Sequence, residues 1–295
     1  MFHVRFGLIV ILLVVGLLEA CSTSRVKPGA RPAPPSRFGT LDPQRQARVD
    51  ANCFDGLPVD RREPVGSTEL VVRAGYVLEH SSVDKIPLWV CESVSAAQLS
   101  GHVVRSNRFK ADPELLGAKA YPRDYLGSGF DRGHQAPAGN QTVDAVLKDE
   151  TFYMSNMAPQ RPSLNRGIWK ELEDLTRTWV LRYGHAYEWT GPVRCEPEKP
   201  VVPVILSGCA RRTIGVDAVA VPVFFYKIVL VEDKSGCKSI AFLLPNVDFK
   251  RPYKLAAYVT SIEVIEKATG IEFMPKMAAK VRRGLVERAG EMADW

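Results

Sequence analysis

No uninterrupted apolar stretch in this 295-residue chain reaches bilayer-spanning length: the longest, residues 6–18, falls short of the about 20 residues that a transmembrane helix needs. Cysteine is scarce, with six residues, none in a Cys-x-x-Cys pair or beside clustered histidines, which excludes a disulfide-dense miniprotein and a zinc finger or ribbon. Internal repeats are absent, so solenoids and propellers are excluded. Neither Gly (22) nor Pro (21) is in excess, so the chain is not collagenous. What is present, 46% hydrophobic and 24% charged residues, is the composition of a globular protein large enough for one or two cores. Lys and Arg (39) outnumber Asp and Glu (33), and the net charge of +6 favours anionic partners without choosing between nucleic acid and lipid head groups.

The apolar run follows Arg5 and is closed by Glu19, Ala20 and Cys21, the layout of an export signal: basic start, apolar centre, small residue at the cut. Its ending, Leu18-Glu19-Ala20-Cys21, resembles the bacterial lipoprotein signal, in which the cysteine becomes the lipidated first residue. Glu19 departs from that pattern, and ordinary cleavage is the second reading. Lipidation at Cys21 implies an exported, membrane-anchored lipoprotein on the periplasmic or cell-surface side; ordinary cleavage implies secretion. Residues 1–20 then form the signal and 21–50 a Pro- and Arg-rich tether, whose charges are read as a solvated spacer. Residues 51–295 form the folded domain. Its five cysteines, Cys53, Cys91, Cys195, Cys209 and Cys237, permit at most two bridges, with connectivity open.

Val-, Leu- and aromatic-rich segments predict strands over 69–78, 88–94, 201–206, 219–231 and 239–244, with Lys234-Ser235-Gly236 turning between the last two. Helices are predicted over 163–183, capped by Ser163, and over 261–268, stopped by Gly270. Strands joined mainly by turns favour an α+β domain with a mainly antiparallel sheet. His80, His102 and His185 fall in turn-like or solvated sequence, and charged residues outside the motifs below are read as surface.

The chemistry concentrates in Phe130-Asp131-Arg132-Gly133-His134. If extended, this segment turns Arg132 and His134 to one side and Asp131 and Gly133 to the other, placing a cation and a base on one surface. Taken alone, a structural His/Arg pair explains it equally well. In the helix predicted from Ser163, setting Asn165 at 0° puts Trp169, Glu173 and Arg177 at about 40°, 80° and 120°, a polar stripe beside an apolar face. A solvated face with a Glu173–Arg177 pair is the bland reading of that stripe.

Together, Asp131-Arg132-Gly133-His134, Ser155-Asn156-Met157-Ala158-Pro159-Gln160 and Leu164-Asn165 with Gly167, Trp169, Glu173 and Arg177 resemble the DNA/RNA non-specific endonuclease family of the ββα-metal superfamily, with weaker similarity over 52–271. The resemblance implies a Mg²⁺-dependent, sequence-non-specific endonuclease that cuts DNA and RNA, with Mn²⁺ as a substitute ion. His134 would be the general base and Asn165 the only direct protein ligand of the metal. Glu173 would orient a metal-bound water, Asn156 would fix the His134 ring, and Arg132 and Arg177 would hold phosphate oxygens. Asn107 stands where some relatives carry a phosphate-contacting arginine, so either Arg108 or Arg105 would substitute or the contact is missing. Leu57 stands where some carry a cysteine, so Cys53 pairs elsewhere, with Cys91 the expected partner, or stays free. The resemblance also implies a homodimer and an inhibitor protein as partners. A phosphodiesterase restricted to RNA or single strands, and a nucleic-acid-binding lipoprotein without cleavage, are the alternatives.

Overall fold

The computed structural model describes residues 37–62, 66–194, 210–234 and 236–295. Helix α1 (Pro43–Asn52) leads through the short strand β1 (Val59–Asp60) into a meander of β2 (Thr68–Val72), β3 (Val77–Ser81) and β4 (Ile86–Ser95). A long loop reaches β5 (Asp131–His134), followed by α2 (Ala145–Glu150), β6 (Met157–Gln160), α3 (Lys170–Tyr183) and β7 (His185–Val193). The pair β8 (Arg212–Ile214) and β9 (Val219–Val221) precedes the long strands β10 (Phe224–Asp233) and β11 (Gly236–Pro245). The chain continues through β12 (Val259–Thr260), α4 (Ile262–Thr269), β13 (Ile271–Glu272) and α5 (Ala279–Val286). Seven strands form the central sheet in the order β12-β11-β10-β7-β4-β3-β2, with every neighbouring pair antiparallel, as the α+β expectation requires.

The period-2 geometry of a strand explains how the sheet is covered on both faces. In β10, Phe224, Tyr226, Ile228 and Leu230 pack into a core with Val49 of α1, Ile262 and Ile265 of α4 and Leu285 of α5. The alternate residues Phe225, Val229 and Val231 pack into a second core with Leu172, Trp179 and Val180 of α3. Lys227 takes one of these alternate positions and is fully buried, a placement the surface reading of charged residues did not anticipate.

Several boundaries differ from expectation. The folded unit begins before residue 51: Asp42 accepts from the backbone N–H groups of Gln44 and Arg45, Pro43 opens α1, and Val49 is buried. Residues 43–50 therefore belong to the domain, held to the sheet by Arg45 Nη2 donating to the Leu70 carbonyl (3.0 Å) and Asn52 Nδ2 to that of Ala74 (3.1 Å). The segment 69–78 is a hairpin rather than one strand, and Pro222, which cannot donate to a ladder, separates β9 from β10. The β10–β11 hairpin, ending in the pair Asp233 and Gly236, and α4, with Ser261 as its cap and Gly270 at φ 72° as its stop, match the sequence reading. Cys53 and Cys91 are joined, their Cα atoms 5.4 Å apart, and Cys237 is also disulfide-bonded. No described helix is long and apolar enough to cross a membrane. The expected signal, Cys21, Cys195, Cys209 and the strand over 201–206 lie outside the described residues.

Candidate active site

Strand β5 pairs antiparallel with β6, matching Asp131 with Gln160, Gly133 with Ala158 and His134 with Met157. Gly133 is required by this pairing, because a Cβ there would stand 2.2 Å from Oε1 of the fully buried Gln160. The alternation expected of the strand is present. Arg132 lies over the Phe109 ring (4.1 Å), and the His134 ring meets Phe109 and Phe152 edge-on, with centroids 5.6 and 5.1 Å away. Asp131 faces the other way, accepting from Asn165 Nδ2 (2.9 Å) and from the Arg166 fork at Nε (2.7 Å) and Nη2 (2.5 Å).

His134 is 7% exposed, and its Nε2 is sealed without a hydrogen-bond partner among the described residues. Burial, then the charges of Arg105 and Arg132, push its pKa down to about 3. The ring is therefore neutral at physiological pH. With the ring proton on Nε2, the Nδ1 lone pair is the one that can accept a proton.

Asn156 holds this segment differently from expectation: its side chain bonds main chain, not the imidazole. Nδ2 donates to the carbonyls of Ala136 and Thr151 (both 2.9 Å), and Oδ1 accepts from the Ala136 N–H (2.9 Å). The Gln135 N–H donates to the Asn156 carbonyl (3.0 Å), so the chain leaving His134 is pinned on both sides. The His134 ring is held instead by the two phenylalanines.

The helix expected from Ser163 is broken. Ser163 Oγ donates to Asp248 Oδ1 (2.9 Å) and accepts from the Phe249 N–H (3.0 Å) instead of capping. Residues Leu164–Trp169 form a wide π-type turn, with Gly167 at φ −110° and ψ −112°, before α3 begins. A Cβ on Gly167 would stand 2.3 Å from the Tyr253 hydroxyl. A uniform 100° per residue therefore does not relate Asn165 to Glu173. Because Asp131 holds its amide nitrogen, half-buried Asn165 presents Oδ1, which has no partner among the described residues, to the opposite side.

Glu173 is half-buried, and burial raises its carboxyl to about 7 against the opposing charges of Lys227 and Arg177. Arg177 pairs with Asp174 through Nη2 (2.5 Å), rather than with Glu173, and donates through Nη1 to Asn140 Oδ1 (3.3 Å). Asn140 in turn donates to Glu92 Oε1 (3.1 Å). Glu92 lies opposite Glu188 across β4 and β7, and Lys227 Nζ donates to Glu188 Oε2 (2.6 Å) and Thr190 Oγ1 (2.8 Å). Burial, reinforced by Glu188, pushes the Glu92 carboxyl well up. Burial lowers the Lys227 ammonium, but Glu188 and Glu92 outweigh it and hold Lys227 above its ordinary value. Sequence reasoning missed this buried network; a lysine between Tyr226 and Ile228 in an apolar strand was its one visible sign.

Of the arginines expected to touch phosphate, Arg108 is ion-paired with Asp149. Arg105 instead lies over the Phe152 ring (4.9 Å), its Nε donating to Asn107 Oδ1 (2.6 Å). His80 is a fully buried strand residue, and His185 Nε2 bonds Ser93 Oγ (2.7 Å), so neither is solvated. No group of three or more His, Cys, Asp or Glu that could hold an ion exists among the described residues. A soft or cage-bound metal does not fit. A hard, oxygen-seeking divalent ion that keeps most of its water fits the single outward carbonyl of Asn165.

The chain matches the family model described as DNA/RNA non-specific endonuclease over residues 62–280. It is 34% identical over 221 residues to mitochondrial endonuclease G of Bos taurus, covering 73% of this chain and 72% of that protein. It is 33% identical over 227 residues to nuclease C1 of Cunninghamella echinulata var. echinulata, covering 73% of this chain and 86% of that one. A crystal structure of the EndoG/EndoGI complex is similar at TM-score 0.70 and 30% identity, over 83% of this chain and 96% of that chain. With these similarities and the antiparallel α+β architecture, the chain belongs to the DNA/RNA non-specific endonuclease family and has its ββα-metal fold.

Proposed function

We propose that this endonuclease cuts the backbones of DNA and RNA without sequence preference, with His134 as general base and Asn165 as the ligand of one Mg²⁺. The family is metal-dependent, and Mn²⁺ is the expected substitute. The observation that carries the reading is His134: a neutral imidazole, fixed between two phenyl rings, with one nitrogen sealed. Nδ1 takes the proton of the attacking water, and Arg132, with Arg105 rather than the ion-paired Arg108, holds the charge that develops on the phosphate. The bound ion supplies Lewis acidity at the scissile phosphate and leaving oxygen. Glu173 accepts a hydrogen bond from water near the ion, and Arg177, held by Asp174 and Asn140, faces the phosphate. Asn156 positions His134 through the main chain. Phosphate-directed contacts carry no base information, which fits the lack of sequence preference.

Around this chemistry we place an exported protein anchored through lipidated Cys21. A homodimer and an inhibitor protein are its expected partners, the latter supported by the relative solved as the EndoG/EndoGI complex. The test is digestion of supercoiled plasmid and of total RNA by the full-length protein in detergent, with Mg²⁺ or EDTA, beside His134→Ala. Cleavage of both that needs the ion and His134 is expected. Cleavage of RNA alone would select the restricted phosphodiesterase, and salt-sensitive DNA binding without cleavage would select the binding protein.

A further inference from the structure

Phe130 stands directly before β5, two positions from Arg132, and is flanked by two more guanidiniums. The centre of Arg161 lies 4.9 Å, and that of Arg212 5.0 Å, from the Phe130 ring centroid. Their placement is architectural. Arg161 directly follows β6, the partner of β5, and Arg212 opens the β8–β9 hairpin, whose β9 packs against β6. Neither forms a salt bridge among the described residues, although Arg108, Arg123, Arg166, Arg177 and Arg211 nearby in sequence each do. The adjacent carboxylate, Asp131, faces the other side of β5 and is occupied by Asn165 and Arg166. Two guanidiniums fixed against an aromatic ring, with no counter-ion among the described residues, form a site suited to an anion.

Resting on the nuclease reading, we propose that Arg161 and Arg212 form a second phosphate step on Phe130, which holds a backbone phosphate of the substrate strand away from the scissile one. From His134 to Phe130 an extended chain covers about 13 Å, so the phosphate held at Phe130 is not the scissile one. The substrate backbone then runs along β5 from His134 toward the β8–β9 hairpin. Arg132 lies between the two steps, over Phe109. The contact is to phosphate, so it adds affinity and register without base preference.

The experiment compares the full-length protein with Arg161→Gln/Arg212→Gln and with Arg212→Gln alone, in detergent with Mg²⁺. The substrates are a 30-base-pair duplex and the small diester bis(p-nitrophenyl) phosphate, and circular dichroism reports folding. The double variant should show an about tenfold lower ratio of kcat/KM on duplex to kcat/KM on diester, carried by KM. The slope of log binding constant against log salt should flatten by about 0.9 for each phosphate that is no longer neutralised. Arg212 is exposed at the start of a short hairpin, so the single variant keeps the test decisive if the double one misfolds, with half the change in slope. Wild-type cleavage accompanied by variants with unaltered duplex KM and salt slope would overturn the proposal. Failure of the wild type to cut either substrate would instead overturn the nuclease reading on which it rests.

Discussion

Among the described residues, Lys227 supplies the only cation hydrogen-bonded to Glu188, which faces Glu92 across β4 and β7, both carboxylates being 1% exposed. Replacing Lys227 with Met keeps most of the volume and removes the charge. Glu188 then loses its 2.6 Å partner at a buried position. Breaking a buried pair from one side typically destabilises by about 3–5 kcal/mol, a large share of a domain's total of about 5–15 kcal/mol. In urea unfolding at pH 7, an m-value near 3 kcal/mol/M converts that loss into a midpoint lower by about 1 M or more. The companion Glu92→Gln should behave oppositely. Burial holds the Glu92 carboxyl well above its ordinary value, so the folded state keeps a proton that the unfolded chain releases above about pH 4.3. Wild-type stability therefore falls with rising pH from that point toward the folded pKa. Gln carries no such slope, and its advantage over Glu should grow across the same interval. A Lys227→Met protein within about 1 kcal/mol of wild type at pH 7 would refute the charge balance. So would a Glu92→Gln protein as unstable as Lys227→Met.

In the metal-free protein, His134 is held down to about 3, and its ring protons should show no titration step by NMR between pH 5 and 8; a midpoint near 6.5 would contradict the burial argument. Asn165→Ala should reduce plasmid cleavage to the level of His134→Ala while leaving gel-shift affinity for DNA, and near wild-type cleavage would remove Asn165 from the metal. Gly133→Ala forces a Cβ to 2.2 Å from Gln160 Oε1 and should cost about 1–3 kcal/mol in denaturant unfolding. Opening the Cys53–Cys91 bridge, which closes a separation of 38 residues, by Cys53→Ser should cost about 4 kcal/mol, and a loss below about 1 kcal/mol would show that the loop is already constrained without it.

The catalytic strand was legible because strand alternation is local: Arg132 and His134 share a side in any extended chain. Asn165 was legible as a residue but not in its geometry, because the break at Gly167 depends on Tyr253, far along the chain. The cradle of Phe109 and Phe152 is assembled from two loops that meet in an isolated bridge between Lys110 and Tyr153, which no periodicity reports. Burial of Glu92, Glu188 and Lys227 is likewise a property of the assembled sheet, although a charge inside an apolar run is the sign to look for. Helix α1 escaped notice because it is tied down chiefly by polar contacts from Arg45 and Asn52, with Val49 its sole buried apolar side chain.

The cross-link that follows α1 also governs how the domain bears mechanical load. Cys53 caps the helix, and its bond to Cys91 lands in β4, which is laddered on both sides by β3 and β7. Tension applied ahead of Pro43 can unwind the 10 residues of α1, from about 15 Å to about 35 Å, before force reaches the covalent link. The slack on that side is therefore limited to about 20 Å. Beyond it, force enters two hydrogen-bonded ladders at once. Helix α1 packs on the face of the sheet opposite α3, so unwinding it up to that limit removes no contact from the α3 core.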